Sequence, residues 1–185
     1  MVNLKRLSLC NNKLTTLISN IFNGLVNLYS LELGKNSIAS LDYASFNGLA
    51  NLRRLSLDKN QLNSVDYKLF NDLVNLYTLG MSGNSLRTVD YRQFNNLVNL
   101  KDIWMNENML SSIDSRTFNG LSNLKALSVS NNKLEQVDAG LFNGLGNLQR
   151  VYIGENPITI NSPRKVLGLC TEASNPKCRV ATWTY

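Results

Sequence analysis

The sequence predicts an α/β fold: a solenoid shaped as a curved horseshoe, with a parallel β-sheet on its concave face and short helical or irregular segments on its convex face. Three observations predict it. One phrase recurs every 24 residues, its apolar positions alternate as in a half-buried strand, and all six phenylalanines fall at one place in the repeat. Each coil of such an array buries its apolar residues only against its neighbours, so the repeats form one domain without a linker.

The strand element is the most regular part of each repeat. Its first leucine is Leu4, and leucine returns at that position every 24 residues up to Leu148. In the pattern LxxLxL the last two apolar residues alternate with one outward residue, which is typical of a half-buried strand. One strand per repeat at constant spacing predicts a parallel sheet. The phrases are NLKRLSLCNN, NLYSLELGKN, NLRRLSLDKN, NLYTLGMSGN, NLKDIWMNEN, NLKALSVSNN and NLQRVYIGEN.

The convex segment of each repeat carries two apolar columns, one of phenylalanine and one of leucine three residues later. Burial between coils stabilises the fold by about 1.5–3 kcal/mol for each large side chain. The phenylalanines are Phe22, Phe46, Phe70, Phe94, Phe118 and Phe142.

Asparagine is abundant because it recurs at fixed places in the repeat. One set follows the strand, and each amide offers two donors and an acceptor to backbone groups that the turn would leave unpaired. Two further sets precede the strand (Asn3 through Asn147) and follow the phenylalanine (Asn23 through Asn143). The content is therefore structural, and a prion-like segment is not indicated. The first set is Asn12, Asn36, Asn60, Asn84, Asn108, Asn132 and Asn156.

The pattern LxxLxLxxNxL, with the later phenylalanine and leucine, resembles the leucine-rich repeat family. It is most similar to the 24-residue type of animal extracellular proteins, such as Toll-like receptor ectodomains and Slit-type modules. The resemblance covers residues 3–158 without an insertion or deletion. It implies an extracellular, non-catalytic module that binds a protein partner on its concave face, in adhesion or innate immune recognition. That functional step is an analogy at the level of the fold.

The two ends of the chain differ. Residues 1–156 are predicted to form seven repeats without an N-terminal cap, and residues 157–185 a C-terminal capping segment. The sequence predicts neither a signal peptide at its start nor a membrane span, since no stretch reaches about 18 apolar residues. We therefore expect either a fragment, or an N-terminal edge that something else covers and that could also self-associate. At the other end, Ser162 as N-cap and Pro163 at the first helical position predict a helix.

The cysteines indicate the compartment. Cys170 and Cys178 lie close together beyond the last repeat, and we expect them to form a disulfide, which favours an oxidising, extracellular environment. The family's usual flanking cap carries four cysteines, so this cap is shortened or divergent. Cys10 remains: it could pair with an upstream cap, stay free, or form an intermolecular bond. The chain has no acceptor for N-glycosylation, which weakens the extracellular prediction slightly.

Catalysis is not expected, and no cofactor or metal is implied. The chain has no histidine, which removes the usual general base and the commonest zinc ligand. One column of aspartates could suit glycosidase carboxylates or calcium, but hydrogen bonding to the following backbone N–H groups is the better interpretation. A tyrosine follows three of these aspartates, and we expect a structural stack of rings rather than a second binding surface. The aspartates are Asp42, Asp66, Asp90, Asp114 and Asp138, and the tyrosines Tyr43, Tyr67 and Tyr91.

The concave sheet is the predicted binding face. Its central outward column contains Trp104 and Tyr152 among small residues, with Tyr77 nearby, and an aromatic group on a wet sheet predicts a binding hot spot. Because Gly80 and Ser128 flank Trp104, we expect both sides of its ring to be open. Tyr152 would lie roughly 10 Å away along the sheet, leaving space for a partner's side chain between the rings.

The first three repeats add a basic region. Lys35, Lys59, Arg53 and Arg54 outnumber the carboxylates there, and Tyr29 and Tyr77 alternate with basic residues, which favours cation–π contacts between strands. The chain carries a formal charge of +6 and a pI of about 9.3. These features support an alternative partner, a polyanion such as a sulfated glycan or nucleic acid. A third alternative is a structural or self-associating spacer.

Overall fold

The computed structural model describes residues 2–158, and its main element is a parallel sheet of seven short strands. Each coil contributes one strand, and neighbouring coils are neighbours in the sheet. The strands are β1 (Arg6–Ser8), β3 (Ser30–Glu32), β5 (Arg54–Ser56), β6 (Thr78–Gly80), β7 (Asp102–Trp104), β8 (Ala126–Ser128) and β9 (Arg150–Tyr152). A second sheet pairs β2 (Thr16–Leu17) with β4 (Ser40–Leu41). The predicted solenoid is confirmed.

The register of the large sheet repeats the 24-residue period. Gly80 lies opposite Trp104, Trp104 opposite Ser128, and Ser128 opposite Tyr152. Ile103 and Met105, on either side of Trp104 in sequence, are fully buried. The predicted strand phase, with Trp104 facing outward from the sheet, is therefore correct.

The interior follows the predicted columns. Phe22 stacks on Phe46 with ring centroids 6.2 Å apart, and Phe94 stacks on Phe118 at 5.9 Å, with the rings tilted by only 11°. Buried leucines from the strands and from the convex segments fill the remaining space. Apolar residues of the first coil are less covered, since only one described coil packs against them; Leu4 and Leu7 are half-buried.

The asparagine column that follows the strands forms the predicted ladder. Nδ2 of Asn84 donates to the carbonyls of Leu57 (3.0 Å) and Met81 (3.1 Å), and its Oδ1 accepts from the N–H of Leu62 (3.0 Å). The same pattern recurs in the repeats before and after it. The asparagines that precede the strands also bridge coils: Asn99 donates to the carbonyl of Val74 (2.9 Å) from an exposed position.

The convex segments are mostly tight turns, with a 3₁₀ helix at Ala139–Phe142. The aspartate column stabilises these turns as predicted: Oδ1 of Asp42 accepts from the N–H of Ala44 (2.8 Å), and Oδ1 of Asp138 from the N–H of Gly140 (2.7 Å). The predicted C-terminal cap, including its helix start and the Cys170–Cys178 disulfide, lies outside the described residues. Cys10 is half-buried and forms no disulfide within residues 2–158.

Candidate recognition surface on the concave sheet

Trp104 and Tyr152 contact each other on the concave sheet. Their ring centroids are 6.0 Å apart with a tilt of 35°, and Ser128, on the strand between them, is only 3% exposed. The prediction of an open gap between these rings is wrong. The backbones are two strands apart, but the small side chain of Ser128 lets both rings lean together and cover apolar surface. One flank of Trp104 is therefore closed, and the pair presents a single half-buried aromatic platform.

The other flank of Trp104 faces a place where the sheet carries no side chain. The Asp58 carboxylate occupies the space beside Gly80, where a Cβ atom would lie 2.8 Å from Oδ1 and 2.9 Å from Cγ. Oδ1 accepts from the N–H of Ser82 (2.8 Å), and Oδ2 accepts from the hydroxyl of Ser56 (2.7 Å). A Cβ atom at this outward position would therefore displace the Asp58 carboxylate. This role of Asp58 was not predicted from the sequence, because the contact joins two different repeats.

A shallow cavity of about 170 Å³ opens next to Trp104 over these small residues. We call it the Gly80 depression. Its lining includes Glu32, Arg54, Ser56, Asp58, Gly80 and Trp104. Of these residues, Trp104 and Arg54 were predicted from the sequence as binding residues. The remaining residues carry no motif, and only the three-dimensional register brings them together.

Cations and aromatic rings alternate in front of the strands. The guanidinium carbon of Arg53 lies 5.4 Å from the ring centroid of Tyr29 and 5.0 Å from that of Tyr77. The amino group of Lys101 lies 4.4 Å from the Tyr77 ring. The predicted cation–π contacts between strands are confirmed, and Arg53 is held at a fixed place by two half-buried tyrosines.

The basic residues of the first repeats are exposed but do not form one continuous group. Arg54 is on the strand itself, whereas Lys35 and Lys59 follow the strands in left-handed conformations with φ of 56° and 55°. Along each coil, the carboxylates of Glu32 and Asp58 come between these two groups. None of the basic side chains predicted as binding residues forms an ion pair within residues 2–158.

The later repeats have paired charges instead. Arg150 lies 3.8 Å from Asp102 across two strands, and the hydroxyl of Thr78 donates weakly to Asp102 at 3.4 Å. Asp102 and Arg150 lie two residues before Trp104 and Tyr152 on the same strands, so this ion pair lies beside the Trp104–Tyr152 platform. The predicted division into a basic region and a charge-balanced aromatic region therefore corresponds to a difference in side-chain contacts.

The tyrosines on the convex flank do not form the predicted stack of rings. Arginines alternate with them: the guanidinium carbon of Arg92 is 3.8 Å from the Tyr67 ring centroid, and that of Arg116 is 4.0 Å from the Tyr91 ring centroid. A cation held between two rings adds attraction that ring-on-ring contact at this spacing does not supply. Arginine two residues after the aspartate was the available signal, present in DYRQF and DSRTF.

The same arginines form two-point ion pairs with the aspartates that begin these turns. Arg92 donates to both oxygens of Asp90, at 2.9 and 2.7 Å, and Arg116 binds its aspartate in the same way. The hydrogen bond from Arg92 lowers the pKa of Asp90 to about 2, and the hydrogen bond from Arg116 lowers the pKa of Asp114 to about 2. These carboxylates are therefore ionised and engaged, which is the structural role predicted for them.

These features define a repeat solenoid with a polar and aromatic concave sheet. The sequence matches the leucine rich repeat family model over residues 2–62, 50–110, 74–134, 99–158 and 122–169, and the chain belongs to that family. None of the curated proteins is significantly similar to it in sequence. Among residues 2–158, no helix is long and apolar enough to cross a membrane, and no three His, Cys, Asp or Glu side chains cluster as metal ligands would.

Solved structures similar to the chain include two receptor ectodomain complexes. Toll, in the Toll–Spatzle complex described as a molecular hub in Drosophila development and innate immunity, has a TM-score of 0.82 and 29% sequence identity. TLR13, in a complex with ssRNA13, has a TM-score of 0.64 and 26% identity. The similarities cover 91% and 85% of this chain, but this chain spans only 22% of the Toll chain and 26% of the TLR13 chain.

Proposed function

We propose that the chain is a non-catalytic recognition module whose concave sheet binds a protein partner. The observation that carries this proposal is the Trp104–Tyr152 platform, a pair of large aromatic side chains in contact on the outward face of the sheet. Aromatic side chains with small neighbours are enriched among the residues that dominate binding energy. Preformed contact between the rings also reduces the conformational entropy that binding would cost.

Similarity to Toll supports a protein partner and a role in innate immune recognition, since Toll is bound to Spatzle in its structure. We infer an extracellular or secreted module, or one in the lumen of an endosome. The capping segment at 157–185 and its Cys170–Cys178 disulfide belong to this proposal. Mass mapping of a non-reduced digest tests the disulfide: a peptide joining Cys10 to either cysteine would exclude it.

The experiment that tests concave binding is affinity capture from the extracellular fluid of the source organism, with mass spectrometry of the captured proteins. Wild type, Trp104→Ala and Tyr152→Ala are compared with a control, Val98→Ser, which changes an exposed apolar residue of the convex side. A partner that binds the platform is lost with both concave variants and retained by the control. Equal capture by all four proteins would exclude the platform as the binding surface.

A polyanion is the second candidate partner. The exposed cations Arg54, Lys35 and Lys59, which form no ion pair within residues 2–158, favour it together with the TLR13–ssRNA13 structure. Binding to phosphate or sulfate groups releases counterions, so affinity for heparin or single-stranded RNA would fall steeply with salt. Reversal of Arg53 and Arg54 to Glu would then abolish it. Weak binding that is already lost at about 0.15 M salt would leave the protein partner as the function.

A structural spacer is the remaining possibility. A spacer would retain every captured protein in the concave variants and bind neither heparin nor RNA. Self-association through the first coil would instead appear as a concentration-dependent mass in sedimentation, which Leu7→Glu should reduce because Leu7 is a half-buried residue of the edge strand.

A further inference from the structure

The Gly80 depression is large enough for one long side chain. Its volume of about 170 Å³ equals the space of roughly six water molecules, taking about 30 Å³ for each. The floor is made of small residues, Ser56, Thr78 and Gly80, and one wall is the indole of Trp104. Because Tyr152 closes the opposite flank of Trp104, this is the side on which the indole can meet a ligand.

The charges around the depression select the ligand. Two carboxylates, Glu32 and Asp58, and one guanidinium, Arg54, line it. Each oxygen of Asp58 accepts one internal hydrogen bond and keeps lone pairs for another donor. Glu32 is exposed and, within residues 2–158, its carboxylate neither accepts a hydrogen bond nor forms an ion pair. The balance of charge is therefore negative, inside a chain that is positive as a whole.

We propose that the Gly80 depression receives an arginine side chain of the protein partner; this proposal rests on the proposed function. The planar guanidinium stacks against the Trp104 indole and donates to the Asp58 carboxylate beside Gly80. The exposed carboxylate of Glu32, two strands further along the sheet, adds attraction across the cavity. The apolar stem of the arginine lies over Ser56 and Thr78, since the Asp58 carboxylate already covers Gly80. The chain already contains guanidinium–ring contacts, with Arg53 between two tyrosines on the concave side and with Arg92 over Tyr67 and Arg116 over Tyr91 on the convex side. Lysine lacks the planar face that stacks on an indole.

The probe for this site is N-acetyl-arginine amide, and N-acetyl-citrulline amide is its neutral isostere. In a Trp183→Phe background, tryptophan fluorescence reports on Trp104 alone, because the chain contains two tryptophans. We expect the arginine amide to bind with a Kd on the order of millimolar, as for a small fragment on a solvent-exposed site. The citrulline amide should bind at least about 3-fold more weakly, since it loses the charge that both the indole and the carboxylates attract.

Two charge substitutions in the lining predict opposite changes. Glu32→Gln should weaken binding of the arginine amide by about 2- to 5-fold, the range expected of one exposed charge pair. Arg54→Gln should strengthen it by about 2-fold, because it removes a repelling charge from the same cavity. Glu135→Gln, which alters an exposed carboxylate outside the lining, is the matched control and should leave the Kd unchanged.

Several outcomes overturn the proposal. Equal binding of the two amides is one such outcome, and weaker binding of the arginine amide to Arg54→Gln is another. A third is the absence of saturable binding up to about 50 mM, a concentration that covers the millimolar affinity expected of a fragment. Tighter binding of N-acetyl-glutamate amide, lost in Arg54→Gln, would assign the depression to an anionic group instead. None of these results touches partner capture by the Trp104–Tyr152 platform. If the capture test fails but the arginine amide still binds, the proposed partner-binding function is refuted and the arginine site in the Gly80 depression still stands.

Discussion

Replacement of Asn84 by alanine tests the ladder that joins the coils. The side chain makes three hydrogen bonds to buried backbone groups, but their loss is not equal. The carbonyl of Leu57 still accepts from Asn60 (3.0 Å) and that of Met81 still accepts from Asn108 (2.9 Å), so each keeps one amide donor. The buried N–H of Leu62 donates to Oδ1 of Asn84, so the substitution leaves this N–H without its side-chain acceptor.

The magnitude follows from this count. An unsatisfied buried N–H costs about 1–3 kcal/mol, and each carbonyl that drops from two donors to one adds at most about 0.5–1 kcal/mol. Asn84→Ala should therefore lower the free energy of unfolding by about 2–4 kcal/mol. With a urea m-value of about 2 kcal/mol per molar, the unfolding midpoint would fall by about 1–2 M.

Two further asparagines serve as matched controls. Asn99→Ala removes one exposed hydrogen bond to the Val74 carbonyl and should cost about 0.5–1 kcal/mol. Asn95 is exposed, and the hydrogen bond from its backbone N–H to the Arg92 carbonyl does not depend on its side chain. Asn95→Ala should therefore change the free energy of unfolding by less than about 0.5 kcal/mol. Equal losses in all three variants, or a larger loss for Asn95→Ala, would refute the assignment of the ladder as the structural asparagine set.

Three other substitutions have expected outcomes. Trp104→Ala should cost about 0.5–1.5 kcal/mol in thermal melts because it removes the contact with Tyr152, and partner affinity should fall by about 2 kcal/mol or more in binding isotherms; unchanged affinity would exclude the platform. Arg92→Gln should return the NMR-titrated pKa of Asp90 from about 2 towards about 4. Because that folded pKa is depressed, the pair stabilises the protein above the unfolded value of about 3.9 and loses this effect as the pH falls through about 2, so the variant should show less acid-dependent loss. Lys59→Gly should raise stability by about 0.5–1 kcal/mol, as the relief of a left-handed lysine exceeds the added chain entropy; a loss in denaturant melts would contradict this.

The parts of the fold that could be predicted are those that the repeat multiplies. Comparison between the seven copies of one phrase identifies which strand positions face inward and which face outward. The outward direction of Trp104 could therefore be predicted from the sequence alone. The asparagine and aspartate columns were predictable for the same reason, since a side chain that repeats at one phase must satisfy the same backbone groups in each coil.

The parts that could not be predicted are those where neighbouring repeats differ. Contact between Trp104 and Tyr152 depends on the small residue between them, and the Asp58 carboxylate fits only because the next coil has Gly80. On the convex flank, other repeats carry asparagine, alanine, lysine or glycine where Arg92 and Arg116 stand. These two arginines convert a column of rings into alternating cations and rings. These contacts join residues 22, 25 or 48 positions apart in sequence, and the length of each side chain decides whether they form.

This contrast separates the stability of the array from its specificity. Nearest-neighbour burial and the asparagine ladder are nearly identical in every coil, so they stabilise any number of coils and distinguish none of them. Glycine at position 80 and tryptophan at position 104 differ from serine, the commonest residue of the central column, and they are adjacent in the sheet. Together they create both the cavity and its aromatic wall. Gly80→Ser would restore the commonest residue of that column; it should displace the Asp58 carboxylate, fill the depression and abolish binding of the arginine amide, while the cooperative unfolding of the array persists. If the amide still binds Gly80→Ser as tightly as wild type, the ligand is held elsewhere and the departure from the repeat at Gly80 has no role in recognition.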